Sequence, residues 1–239
     1  MIRGSSMDSA TVYYLIQKLS DVPVEQDWLA AGERNRVSGF RFSKRRNDWT
    51  LGRWTAKRAL RSFLMQTGRD VPAYSEMEIQ SASDGAPEAY ILGKAAPLVM
   101  ALSHSGDQGF CAVAAAGVEL GCDVEIVQNR DAALIQDYFC DDERLRVSCS
   151  PVQEQPLLTT LIWSAKESAL KCLREGLRRD TRSVLVEIAG SGGLGWNPLS
   201  VRCRESARIF YGWWRRNDAF IQTIAAGFPL IEPVELPIC

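Results

Sequence analysis

The chain carries the same segments twice, in the same order and about 110 residues apart. Trp54-Thr55-Ala56-Lys57-Arg58-Ala59-Leu60 is echoed by Trp163-Ser164-Ala165-Lys166-Glu167-Ser168-Ala169-Leu170. Glu33-Arg34-Asn35-Arg36-Val37 is echoed by Glu143-Arg144-Leu145-Arg146-Val147, and the apolar run from Phe110 to Gly117 by Phe220 to Gly227. A period this long marks a duplicated domain, not a solenoid. It predicts two similar lobes, 1–117 and 118–239. The copies differ in charge. Tyr13 and Leu15 fall opposite Asp123 and Glu125, and Arg58 falls opposite Glu167. The first copy is basic where the second is acidic, so a cleft between them suits an anionic ligand together with a metal.

At 239 residues, each lobe is long enough to bury its own core. A net charge of −1 conceals a local excess. Between Arg34 and Arg61 lie Arg36, Arg41, Lys44, Arg45, Arg46, Arg53, Lys57 and Arg58, against Asp48 alone. This stretch reads as a solvated helix face or as a phosphate-binding surface. Nucleic acid is disfavoured, because the chain as a whole is not basic. No apolar run is long enough to span a membrane. Met1 to Ser6 lacks an apolar signal core and reads as an added leader, with Met7 as the natural start. Seven scattered cysteines without CxxC spacing argue against a disulfide framework and against a zinc site, which points to a reducing cytoplasm.

Periodicity predicts a strand at 11–18, a short helix at 27–37 and a long helix at 48–66 that Gly68 would stop. Extended segments follow at 76–81, 89–91, 99–103 and 110–116, with turn chemistry at Asp84-Gly85-Ala86-Pro87. The second copy repeats the order: a strand at 121–127, helices at 132–139, 143–148 and 157–173, then strands at 183–189, 201–204, 208–214 and 219–226. The pattern is α+β. The glycine-rich stretch 190–195 follows a strand but leads to no helix and has no phosphate-loop Lys, so it reads as a hairpin loop.

Asp123 and Glu125 are two apart in a strand and share a face. Paired carboxylates repel unless a cation lies between them, and hard oxygen donors suit magnesium. The alternative is a strand whose polar face meets water. Glu167 and Lys171 are four apart on a helix. In isolation they make an ordinary exposed ion pair; over the Asp123 strand, Glu167 becomes a third carboxylate. His104, the only histidine, lies in Ser103-His104-Ser105 where the first lobe turns toward the junction. Adjacent residues do not give nucleophile–base geometry and no G-x-S-x-G elbow exists, so a Ser-His hydrolase is disfavoured. The remaining readings are a structural histidine or a phosphate contact.

Together Ser103-His104-Ser105, Gly121-Cys122-Asp123-Val124-Glu125 and Trp163-Ser164-Ala165-Lys166-Glu167-Ser168-Ala169-Leu170-Lys171 resemble the Sfp-type 4′-phosphopantetheinyl transferases. The resemblance implies a pseudo-twofold α+β fold with the active site in the cleft between lobes. It implies transfer of the phosphopantetheine arm of coenzyme A to a serine of an apo acyl or peptidyl carrier protein, with release of 3′,5′-ADP. It implies magnesium, with manganese as a substitute, held by Asp123, Glu125 and Glu167. Glu167 matches the base for the carrier serine, and Lys171 the group that contacts phosphate and protonates the leaving group. Ser103, His104, Arg36, Arg53, Lys57 and Arg58 match coenzyme-binding positions. Ala86 stands where many relatives carry Lys, which implies altered coenzyme binding. Asp137, Tyr138, Phe139 and the segment to Ser148 are candidates for carrier docking, with Arg144 and Arg146 for charge pairing, unless the aromatic pair is core. A pseudo-dimer within one chain implies a monomer. The competing readings are an inactive coenzyme A or carrier-binding relative and a basic-patch nucleic-acid binder; the latter leaves three carboxylates unexplained.

Overall fold

The computed structural model describes residues 11–175, 178–189 and 195–238. The first half runs β1 (Tyr13–Lys18), α1 (Ala31–Ser38), α2 (Ser43–Gln66), β2 (Met77–Ser81), β3 (Pro87–Ile91), β4 (Lys94–Ala95), β5 (Leu98–Ser105) and β6 (Gln108–Ala115). The second runs β7 (Leu120–Ile126), α3 (Ala132–Tyr138), α4 (Asp141–Cys149), α5 (Gln155–Cys172), β8 (Val184–Ile188), β9 (Asn197–Cys203), β10 (Ile209–Asn217) and β11 (Phe220–Ala226). A last short strand, β12 (Val234–Glu235), returns to pair in parallel with β1. The fold is α+β, as the pattern predicts. Two segments with sequence-based readings, the leader and most of the glycine-rich stretch, lie outside the described residues.

Strand order carries the repeat into three dimensions. The second half forms one sheet, β7-β11-β10-β9-β8. The first half has β12-β1-β6-β5 and, separately, β2-β3-β4. Exchanging β1 for β7, β6 for β11, β5 for β10, β3 for β9 and β2 for β8 gives the same order, broken only between β5 and β3. The register agrees: Tyr13 faces Val113 across its ladder, and Asp123 faces Thr223 across the equivalent one.

Helix α2 begins five residues before the expected start. Its first turn, Ser43 to Arg46, is exposed and polar, so it carries no apolar periodicity, yet Lys and Arg are good helix formers. Further along, Ala56, Ala59, Leu60, Phe63 and Leu64 pack on Leu15, Cys111 and Val113 of β1 and β6. Helix α5 does the same in the second half, laying Ile162, Ala165, Ala169 and Leu170 against Val186, Val201, Phe210 and Ile221. A third core lies between the halves, where Tyr14, Ala101, Phe110 and Ala112 meet Cys122, Val124 and Ile224. Each large side chain fully buried there, Phe110 for example, contributes about 1.5–3 kcal/mol. The described cysteines are free thiols, and among the described residues no helix is long and apolar enough to cross a membrane.

Each half also contains one buried ion pair built from its repeated motifs. Lys57 Nζ lies 2.5 Å from Glu33 Oε2 and donates to the carbonyls of Trp28 and Tyr74. Lys166 Nζ lies 2.7 Å from Glu143 Oε2 and donates to the carbonyls of Thr181 and Val184. The glutamates match as well. Glu33 accepts from the amides of Ala30 and Ile79, and Glu143 from those of Cys140 and Val186. Each caps its own helix and ties it to the neighbouring strand.

Candidate active site

Strand alternation turns Cys122 and Val124 into the core between the halves and leaves Asp123 and Glu125 on the other face. Helix α5 lies directly on that strand. Gly121 permits this: a Cβ there would collide with the carbonyl oxygen of Ser168 and touch Lys171 Cβ. The close approach brings the last turns of α5, with Glu167 and Lys171, over Asp123. The glycine of the G-x-D-x-E segment is thus part of the site's geometry, which the sequence reading did not assign.

Lys171 does not pair with Glu167, its neighbour one turn back. Its Nζ donates to Asp123 Oδ1 at 2.9 Å and to the Cys122 carbonyl at 2.9 Å. Ser103 Oγ, from the end of β5, donates to the same Asp123 oxygen at 2.7 Å. Asp123 is 4% exposed, and its other oxygen, Oδ2, is buried with no hydrogen-bond partner. Burial alone would lower the Lys171 ammonium, but Asp123, Cys122 and Glu167 together more than offset it and its pKa is raised. Glu167 accepts no hydrogen bond from a described residue. Burial pushes its carboxyl up to about 7, with Lys171 opposing and with Asp123 and Glu125 adding to the rise.

Glu125 is differently placed. Its Oε1 accepts from Trp163 Nε1 at 3.1 Å. Its Oε2 accepts from Arg130 Nη2 at 2.9 Å and from Ser105 Oγ at 3.2 Å. Ser103 and Ser105 therefore each meet one acid, while His104 between them falls on the opposite face and is exposed. The Ser-His-Ser tripeptide lies at the end of a strand, not in a loop. The donor set suits a hard divalent cation: Asp123 offers a buried oxygen without a partner, and Glu167 a half-buried carboxyl that accepts no hydrogen bond from a described residue. Among the described residues no three acid, His or Cys side chains are gathered as a ready cage.

The basic positions lie on α1 and α2. Arg36 is exposed. Arg53 is half-buried, 4.9 Å over the Trp49 ring, with a buried Nε lacking a partner. Burial lowers its pKa; Glu33 opposes this and Arg36 adds to it. Arg58 stacks on Trp54 and donates to Gln17 Oε1 at 3.0 Å. Lys57 corrects an expectation. Its ammonium is 0% exposed and saturated by Glu33 and two carbonyls, so it holds the first half together and cannot reach a ligand phosphate.

A cleft of about 870 Å³ opens beside Lys171, between the Asp84–Tyr90 turn and β5 on one side and the end of α5 on the other. Arg174 crosses its rim, with Nε 2.6 Å from Asp84 Oδ2 and Nη2 3.2 Å from Glu88 Oε1. Ala86 lines the same cleft. At the other edge of the acids, Tyr138 is partly exposed and stacks edge-on against Trp163, whereas Phe139 is core. Of the residues the sequence reading left out, Trp163 lies within a motif it quoted. Arg130 and Arg174 carry no pattern, because each acts on a residue distant along the chain or across a loop.

Residues 119–211 match the model of the 4′-phosphopantetheinyl transferase superfamily. The matched segment spans β7 to β10 and contains Asp123, Glu125, Glu167 and Lys171; it is less than half of the chain. Among solved structures, the chain is similar to a holo-(acyl-carrier-protein) synthase from Bacillus anthracis str. Ames in complex with CoA (3′,5′-ADP). That likeness has 19% identity over 44% of this chain and 95% of that one, with a TM-score of 0.36. The Thermotoga maritima holo-[acyl-carrier-protein] synthase is similar at 16% identity over 55% of this chain and 75% of that one, with a TM-score of 0.34. No curated protein matches significantly.

Proposed function

We propose that this chain transfers the 4′-phosphopantetheine arm of coenzyme A to a serine hydroxyl of an apo carrier protein, leaving 3′,5′-ADP. The observation that carries the reading is the Asp123–Lys171 pair beneath Glu167, with Asp123 Oδ2 buried and unclaimed, inside the segment that matches the transferase superfamily. A buried carboxylate oxygen without a partner is costly unless a cation or donor meets it.

The oxygens of Asp123 and Glu167 would hold a magnesium or manganese ion, with Glu125 beside them. When bound, the ion neutralises charge on the diphosphate and polarises the phosphoryl oxygen. The protein's side chains do the rest. Glu167, beside the ion and with no competing hydrogen bond from a described residue, accepts the proton of the incoming serine. Lys171, held by Asp123 and the Cys122 carbonyl, keeps an ammonium next to the transferring phosphate and returns a proton to the leaving oxygen. His104, with Arg36, Arg53 and Arg58, supplies donors for the adenosine phosphates, while Ser103 holds Asp123. The carrier, whose serine lies beside an acidic helix in the family it resembles, would approach the Tyr138–Trp163 edge, near Arg144 and Arg146. A monomer working in the cytoplasm is consistent with this scheme.

The test is the intact mass of a panel of apo carriers after incubation with this protein, coenzyme A and magnesium. A gain equal to the phosphopantetheine arm on the carrier serine establishes the activity. Coenzyme A binding without any gain supports an inactive binding relative instead, and no binding at all removes both readings.

A further inference from the structure

Among the described residues, every ion pair that crosses from one half of the chain to the other is made by Arg174. Its Nε lies 2.6 Å from Asp84 Oδ2, and its Nη2 lies 3.2 Å from both Asp84 Oδ1 and Glu88 Oε1. Asp84 stands in the turn before β3, and Glu88 on β3 itself. The guanidinium therefore spans the mouth of the cleft of about 870 Å³, which Leu98, Met100, Leu102, Val118 and Leu120 line further in. This cleft opens where the strand order of the first half is broken, between β3 and β5. No ladder of backbone hydrogen bonds joins those two strands, so the width of the opening is left to side chains.

The backbone of Arg174 is a second, independent sign. Arg174 follows Leu173, the C-cap of α5, and has φ +57°, in the left-handed region. Its amide donates to the Lys171 carbonyl, and the amide of Glu175 to the Leu170 carbonyl. A helix that closes with this pair of bonds ordinarily carries glycine at the left-handed position, because a Cβ there is strained. The ion pair returns little to stability, since half of the Arg174 side chain meets water. Ending the helix does not account for an arginine here, whereas its reach across the cleft does. The same turn carries Lys171, so whatever holds Arg174 also holds the last turn of α5.

We infer that Arg174 is a clasp that gates the cleft: it ties the end of α5 to the 84–88 segment, and it releases both acids when a ligand enters or leaves. The identity of that ligand, coenzyme A, rests on the transferase reading; the clasp does not. A gate of this kind slows entry and exit alike and leaves affinity nearly unchanged. A residue that instead grips the bound ligand acts on dissociation.

The experiment has two arms, both on the full chain. In the empty protein, hydrogen exchange of Arg174→Gly should be several-fold faster than wild type in segments 84–90 and 98–102 and unchanged in α4. In stopped-flow binding of coenzyme A, Arg174→Gly should raise the association and dissociation rate constants together, several-fold each, with Kd changed less than about twofold. Added salt should do the same to wild type and little to the variant, because it screens an exposed pair. Asp84→Asn removes the charge from the other side of the cleft, keeps an oxygen for the Ala86 amide and should act in the same direction. The double variant should behave as Arg174→Gly alone. Thermal melts should place Arg174→Gly at or above wild type, since glycine relieves the left-handed backbone; if it fails to fold, Asp84→Asn decides. A weakened Kd with unchanged association makes Arg174 a ligand contact and overturns the gate, as do rates and exchange that match wild type. Wild-type protein that binds no coenzyme A counts against the transferase reading, and the exchange arm still decides the clasp.

Discussion

Lys57 and Lys166 occupy the same place in the two halves, each ammonium fully buried against a glutamate that caps the preceding helix. Their sequence neighbours diverge: Arg58 follows the first and Glu167 the second. The duplication has therefore kept the residue that holds each half together and changed the one beside it. A buried lysine is tolerated here because its three partners replace the water it loses.

Removing either ammonium leaves a buried carboxylate unpaired. Lys57→Met and Lys166→Met should each lower stability by about 3–5 kcal/mol, read from urea unfolding. Pairing Lys57→Met with Glu33→Gln removes the unpaired charge and keeps an acceptor oxygen for the buried amides, so it should cost less than Lys57→Met alone. Coenzyme A affinity of folded Lys57→Met should match wild type; a large loss of affinity without a loss of stability would return Lys57 to the binding surface.

Much of this was legible in the chain. The repeat gave the element order, and the two motifs gave Asp123, Glu125, Glu167 and Lys171. What remained hidden depends on partners far apart in sequence. Lys57 lies in a basic stretch and reads as surface until Glu33 and two carbonyls are folded around it. The spacing of Glu167 and Lys171 invites a pair between them, but the close packing at Gly121 turns Lys171 to Asp123 instead. Arg130 and Arg174 sit near loops, where periodicity carries no information.

Gly121 is the thinnest point of the site. Gly121→Ala places a methyl against the Ser168 carbonyl, which belongs to the helix backbone and cannot rotate aside. Overpacking of this kind costs about 1–3 kcal/mol. The larger effect should fall on chemistry, because the displaced helix carries both Glu167 and Lys171. Transfer should drop at least tenfold at a temperature where circular dichroism still reports a folded protein; full activity would mean that α5 tolerates a shift against β7.

Asp123 and Glu167 should separate in a magnesium titration. Asp123→Ala removes both the anchor of Lys171 and the unclaimed oxygen, so activity and its magnesium dependence should vanish together. Glu167→Gln should preserve the fold and lose transfer, since an amide cannot take the serine proton. An Asp123→Ala enzyme with an unchanged magnesium titration would refute its place at the ion, and an active Glu167→Gln enzyme would remove Glu167 as base.

Lys171 offers the sharpest contrast between charge and shape. Its ammonium fits between the Cys122 carbonyl and Asp123 Oδ1, both at 2.9 Å, and shares that oxygen with Ser103. Lys171→Met deletes the charge beside the transferring phosphate and strands Asp123, so kcat should fall about 10²–10³-fold, as for loss of one preorganised donor. Lys171→Arg keeps the charge but brings a planar fork that is bulkier and differently directed than an ammonium. It should therefore recover little of kcat, while its KM for coenzyme A stays closer to wild type than that of Lys171→Met. Steady-state kinetics of the two variants tests this: if arginine restores kcat, charge alone matters at this position, and the fit between Cys122 and Asp123 has no part in the rate.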